Sequence, residues 1–167
     1  MNWYIARVRM NTERQVAKRL SLLGFETFVP TQIEIHQWKD RRKKVERLLI
    51  PPFVFVKAEA NQPQELKNNY TFIYDWMSAP GERKPAIVPD YQIERLKFML
   101  GNADSEVKME YHPLQKGDQV RIIRGNLMGL IGNVVTDVDG KSMLSITIDY
   151  LGCASVKINL SDVELMA

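Results

Sequence analysis

The chain is poor in the residues that carry covalent and metal chemistry. It has one cysteine, Cys153, and two histidines, His36 and His112. A single thiol forms no internal disulfide, which suits a reducing compartment. The histidines fall in different predicted domains, with no second His or Cys at ligand spacing, so no zinc pattern exists. Cys153 has no charged sequence neighbour to activate it and reads as a small buried or half-buried residue. No P-loop, GxGxxG or GxSxG string occurs. Asp137 and Asp139 flank a predicted tight turn, where acidic residues are ordinary turn formers. These absences argue against an enzyme, and no cofactor or metal is expected. No apolar run approaches the roughly 20 residues of a membrane-spanning helix. The start, Met1-Asn2-Trp3-Tyr4-Ile5, lacks a basic region followed by an apolar stretch, so no secretory signal is expected there. The expectation is a soluble cytoplasmic monomer that makes no membrane contact. There is no internal repeat and no low-complexity segment.

What is present is a foldable chain with a local concentration of charge. Apolar residues make up 45% of 167 residues, enough for one medium domain or two small ones. The net charge of +3 is modest, but its distribution is uneven. Residues 1–106 carry 17 Lys/Arg and 13 Asp/Glu, whereas residues 107–167 carry 6 and 7. Residues 39–47 (KDRRKKVER) alone hold six basic and two acidic side chains. The net charge asymmetry therefore lies almost wholly in one nine-residue stretch.

Periodicity predicts the elements. Residues 3–9 alternate as a strand. Asn11 or Thr12 caps a helix whose face carries Val16, Ala17, Leu20 and Leu23, and Gly24 ends it. Residues 25–30 return as a short strand, and Ile33 and Ile35 continue an extended pattern. The basic stretch fits the tip and flanks of a β-hairpin. Pro51 and Pro52 interrupt the apolar run 48–56, so they form a bend before a strand at 53–56. Residues 70–77 are extended. Asp90 caps a second helix with Ile93, Leu96, Phe98 and Leu100 as its apolar residues and Gly101 beyond it. Residues 102–113 lack a period and end at Pro113, which makes them the best linker. Thereafter glycines punctuate short β-rich runs, with Asp139-Gly140 as a hairpin signal. Five short strands suggest a small closed barrel. The fold class is therefore α+β: an antiparallel sheet with flanking helices, followed by a small SH3-like all-β barrel. The expected division is a domain at 1–101, a linker at 102–113 and a barrel at 114–167.

Two motifs carry a family resemblance. Gly117-Asp118-Gln119-Val120-Arg121-Ile122, then Gly125, Gly129, Gly132 and Val134, resembles the KOW motif of NusG-type transcription factors and some ribosomal proteins. Physically, Val120 and Ile122 enter a core while the glycines let a tight loop turn back so that residues 132–134 pair. Any small barrel needs such glycines, but their ordered string is more specific. At the N-terminus, Trp3-Tyr4, Glu13, the Val16-Ala17/Leu20 helix, Phe28-Val29-Pro30 and Ile50-Pro51-Pro52-Phe53-Val54-Phe55-Val56 look like the NusG N-terminal (NGN) domain. Ile50, Pro52 and Phe53 stand where that family usually reads Phe, Gly and Tyr. The order of NGN, linker and KOW matches over nearly the whole chain. The length and the departures resemble specialised paralogues, such as RfaH and the UpxY regulators of capsular polysaccharide operons, more than housekeeping NusG. The late-strand family string F-G-R-x-T-P-V-E-L is replaced here by Leu151-Gly152-Cys153-Ala154-Ser155-Val156-Lys157-Ile158, without the Arg and Pro.

The resemblance implies a set of partners and residues. The family's NGN domain grips the clamp helices of the largest RNA polymerase subunit near the proline-containing element, which maps to Ile50, Pro51 and Phe53. Tyr74 and Trp76 are added to that patch from the residues alone; Phe53 and Tyr74 fit core positions equally well. Specialised paralogues contact the non-template DNA strand around the first helix, where Arg9, Arg14, Lys18 and Arg19 are the candidates, although a solvated helix face explains each singly. Arg41, Arg42, Lys43 and Lys44 are placed near phosphate of DNA or nascent RNA. The implied function is operon-specific antitermination, as at capsular or exopolysaccharide-type operons. The alternatives are a general NusG-type factor coupling transcription to termination factor Rho or the ribosome, and a KOW-type RNA-binding or ribosome-associated module. The missing Arg and Pro count against the former, and the net-negative 107–167 region counts against the latter. A refolding helical C-terminal region, as in RfaH, has little local support here.

Overall fold

The computed structural model describes residues 1–111 and 117–166. His112 and Pro113, the end of the expected linker, lie outside the described residues. By packing, the chain forms two compact units.

The first unit comprises Met1–Thr31 and Glu46–Asp90. Its sheet is built from β1 (Asn2–Val8), β2 (Glu26–Phe28), β5 (Phe53–Ala58) and β6 (Ile73–Trp76), in the order β2-β5-β1-β6, with every pairing antiparallel. β3 (Thr31–Gln37) and β4 (Arg42–Leu48) form a separate two-stranded hairpin. Alternation along the central strands sends Tyr4, Ala6, Val8, Val54, Val56 and Ala58 to one face. There they bury Val16 and Leu20 of α1 (Glu13–Leu22) and Leu66 of α2 (Gln62–Asn69). α1 begins after Thr12, whose hydroxyl does not cap the helix but donates to the Arg9 carbonyl at 2.6 Å. It ends in a Schellman motif: the Gly24 N–H bonds the Ser21 carbonyl at 3.0 Å and the Phe25 N–H bonds the Leu20 carbonyl at 3.0 Å. α2 was not foreseen. Its eight residues are mostly polar, only Pro63 and Leu66 are buried, and a proline in its first turn obscures it. The proline bend precedes β5 as expected: the Phe53 N–H bonds the Ile50 carbonyl at 3.0 Å, and the Val8 N–H bonds the Pro52 carbonyl at 3.0 Å. The Pro51–Pro52 peptide bond is cis.

The second unit comprises Gln32–Val45 and the chain from Tyr91 onward. The hairpin arms are β3 (Thr31–Gln37) and β4 (Arg42–Leu48), a two-stranded sheet of its own. α3 (Asp90–Asn102) follows and buries Gln92, Ile93, Leu96 and Met99. It runs through Gly101 rather than stopping before it, and Phe98 points partly outward where a core position was expected. A six-stranded sheet follows in the order β12-β8-β9-β10-β11-β7. Its strands are β7 (Lys108–Glu110), β8 (Gln119–Ile122), β9 (Ile131–Thr136), β10 (Ser142–Ile148), β11 (Gly152–Lys157) and β12 (Val163–Leu165). The architecture is α+β with a β-rich C-terminal region, as expected. The packing division nevertheless differs from a cut at residue 101, because the hairpin and α3 cluster with the later strands. The segment read as a linker also contributes β7, which pairs with β11. A three-residue strand flanked by polar residues leaves no periodic signal.

Two buried amides tie the second unit together. Gln32 Nε2 donates to the Val107 carbonyl at 2.9 Å, and its Oε1 accepts from the Val107 N–H at 3.0 Å. Gln92 repeats the arrangement on Asp149, donating to Oδ1 at 3.0 Å and accepting from the backbone N–H at 2.8 Å. Each amide thus satisfies its donor and acceptor at once, which offsets the cost of burying it.

Candidate functional site

Register explains the first surface. Arg7 lies opposite Phe53 on β5 and opposite Asp75 on β6, so the three side chains share the sheet face away from α1 and α2. A β-bulge between Arg7 and Val8 leaves Tyr74 as the extra residue of β6. Tyr74 is 45% exposed, and the Arg7 guanidinium stands 5.5 Å from its ring centroid. Arg7 also forms a two-pronged pair with Asp75, at 3.0 and 2.9 Å. The hydrogen bonds to Asp75 raise the Arg7 pKa further above its ordinary value. Pro51, Pro52 and Phe53 are half-buried. The result is an aromatic and cationic surface of fixed geometry, the kind of side-chain set that dominates protein interfaces.

Two residues expected on this surface are not there. Ile50 is 2% exposed and Trp76 is 8% exposed. Trp76 lies opposite Ala6, so it joins the core beneath the helices, and its indole N–H donates to the Pro63 carbonyl at 2.7 Å. The bulge is what separates Tyr74 from Trp76. Sequence reasoning missed Arg7 and Asp75, because a pair 68 residues apart leaves no local signal.

The basic residues divide. Arg9, Arg14, Lys18 and Arg19 are all exposed. Arg14 and Lys18, one turn apart on α1, share a face. Arg14 pairs with Glu46 at 3.4 Å and donates to its carbonyl at 3.3 Å. Arg19 stacks instead on Phe72, 4.6 Å from the ring centroid, which aims it elsewhere.

The hairpin places Arg41, Arg42, Lys43 and Lys44 in the open. Its turn is closed by Trp38 and Arg41, whose backbones bond each other at 2.8 and 3.4 Å. The ring of Trp38 lies 5.8 Å from Arg41 Cζ and 5.5 Å from Lys43 Nζ. Trp38 was missed in the sequence, although its position one residue before the basic stretch is a usable signal.

The residues that resemble a KOW motif form a scaffold. Val120 and Ile122 are buried, while Arg121 points outward to Glu164 at 3.6 Å. Val120 pairs with Gly132, and the Gly117 N–H bonds the Val134 carbonyl at 3.0 Å. A Cβ on Gly132 would lie 2.6 Å from the Ser145 carbonyl oxygen, so only glycine lets β9 approach β10 this closely. The Asp118 carbonyl accepts from the Val134 N–H at 2.9 Å, and Val134 itself is half-buried. Gly129 returns the loop to β8, its N–H bonding the Ile122 carbonyl at 2.7 Å, and the Gly125 carbonyl accepts from the Met128 N–H at 3.2 Å. Among the described residues, no group of three or more His, Cys, Asp or Glu is placed to hold a metal ion, and no helix is long and apolar enough to cross a membrane.

Fold and surfaces together give an α+β protein that exposes paired aromatic and basic side chains on a sheet face and on a hairpin. The family model described as NusG, transcription termination factor nusG, matches residues 1–97, and the chain belongs to this family of transcription factors. A transcription termination/antitermination protein NusG of Pasteurella multocida (strain Pm70) is 26% identical over 141 residues, covering 83% of this chain and 76% of the relative. Two solved structures are also similar. One, on domain interaction in Thermotoga maritima NusG, has a TM-score of 0.48 and 20% identity over 99% of this chain and 97% of that one. The other, an MjSpt4:Spt5 complex, has a TM-score of 0.31 and 16% identity over the same shares. Family membership rests on the family model, which spans more than half of the chain.

Proposed function

We propose that this chain is an operon-specific antitermination factor of the cytoplasm, which holds RNA polymerase through the Arg7–Tyr74–Phe53 face and nucleic acid through its basic hairpin. The observation that carries the reading is the surface made by the bulge. An exposed tyrosine is braced by an arginine that Asp75 locks in place, beside the proline element that matches the family's clamp-helix contact. Preorganised side chains lose little entropy on binding, so such a surface suits a stable contact. Pro51, Phe53 and Tyr74 are its contact residues. Binding across the cleft disfavours clamp opening, because the binding energy is available only in the closed state. Pausing and termination then fall, with no covalent step.

The operon-specific form is favoured over the general one by β11. This strand replaces the family's late-strand partner string, pairs on both edges with β10 and β7, and buries Cys153, Ala154, Ser155 and Val156. A strand so enclosed offers few side chains to Rho or a ribosomal protein. Functionally, we take residues 1–101 as the polymerase-binding module and 114–167 as the KOW module.

In vitro transcription through terminators placed behind several unrelated leader sequences tests this. The expected result is increased readthrough on a subset of leaders. An equal increase on every leader would assign the general role, and no increase on any would contradict antitermination.

A further inference from the structure

We propose that Trp38 is a base-stacking platform for single-stranded nucleic acid, held at the hairpin tip between two cations. Trp38 is 49% exposed, while the other two tryptophans, Trp3 and Trp76, are buried. A large indole left half in water contributes little to folding, and its apolar area remains available for binding. Its neighbours are cations: Arg41 and Lys43, two residues apart, both stand over the ring. Residues 42 and 44 alternate to the opposite side of the ribbon, and there Arg42 Nε bonds Gln37 Oε1 at 3.1 Å. One face of the hairpin therefore combines a flat aromatic ring with two positive charges.

That combination has a specific chemical match. A base stacks on an indole regardless of its identity, and phosphates flanking that base lie within reach of Arg41 and Lys43. The six basic residues of 39–47 supply charge complementarity. An acidic peptide would satisfy the cations but leave the ring without a stacking partner. In a duplex the bases already stack on one another, so the ring would gain only at an unpaired segment. The chemistry is thus that of unpaired DNA or RNA. The inference rests on the hairpin facing nucleic acid, but it needs no polymerase.

The free full-length protein provides the test. Because Trp38 is the exposed tryptophan, intrinsic fluorescence reports on it. Oligo-dT and oligo-U should quench the emission, and whichever binds tighter names the source. Inorganic polyphosphate, which has charge but no base, should bind without that quench. Trp38→Ala should remove the quench and weaken single-strand binding by about tenfold, leaving polyphosphate binding unchanged. Trp38→Phe, followed by anisotropy of a labelled strand, should restore most of the affinity. Stacking is overturned if Trp38→Ala binds single strands as tightly as the unaltered protein, or if blunt duplex DNA quenches equally. If single-strand binding falls on Arg41→Gln/Lys43→Gln but not on Trp38→Ala, the hairpin still faces nucleic acid and only stacking fails. No binding of any polyanion would overturn both.

Discussion

Glu13 is the first residue of α1, is 1% exposed, and neither of its carboxylate oxygens has a hydrogen-bond partner among the described residues. Its position at a helix N-terminus gains roughly 0.3–1 kcal/mol from the helix dipole. Leaving a buried polar group unsatisfied costs about 1–3 kcal/mol, and more if it is charged, so the penalty wins. Glu13→Met, of similar volume and without polar oxygens, is therefore expected to raise unfolding stability by about 0.5–2 kcal/mol, the penalty less the dipole gain, read from the urea midpoint. A lowered midpoint would contradict this and would mean that Glu13 supports the N-terminal turn. Burial of single residues was the least legible feature of the sequence. Ile50, Phe53, Tyr74 and Trp76 all look alike as apolar residues around the start of β5 and in β6. Only the strand register and the bulge sort them into core and surface.

Among the elements, those with strong local chemistry were readable. Gly24 closes α1, Pro51-Pro52 precede β5, and the Asp139-Gly140 turn forms with Asp137 Oδ1 accepting from the backbone of Asp139 and Lys141 at 2.9 and 2.8 Å. The basic hairpin was readable because charge cannot be buried in such density. α2 and β7 were not, since short polar elements are fixed by tertiary partners rather than by period. The alternating stretch 154–160, which reads as one strand, is not extended throughout: β11 stops at Lys157, and Leu160 opens a 3-10 turn in which the Asn159 Oδ1 accepts from the Ser161 N–H at 3.1 Å. The hairpin carries its own prediction. Removing two phosphate contacts with Arg41→Gln/Lys43→Gln should reduce the slope of log K against log salt by about 1.4 for a single strand. A titration series across salt concentrations measures it, and an unchanged slope would take these side chains off the phosphates.

At the scale of the molecule, the chain places the NusG family's N-terminal match and a β-rich region that carries the KOW-like residues in one polypeptide. The two regions carry different burdens. The glycine-rich scaffold and the doubly paired β11 are occupied with packing, while exposed aromatic and cationic side chains gather on the bulged sheet face and on the hairpin. The central claim is that the bulged face holds RNA polymerase. Retention of the full chain on immobilised core polymerase tests it most directly, comparing the unaltered protein with Tyr74→Ala after matching their unfolding midpoints. The account predicts that the unaltered protein is retained and that Tyr74→Ala weakens binding about tenfold or more, as loss of a central aromatic contact does. Retention of a fully folded Tyr74→Ala protein at undiminished affinity, or no retention of either, would contradict it.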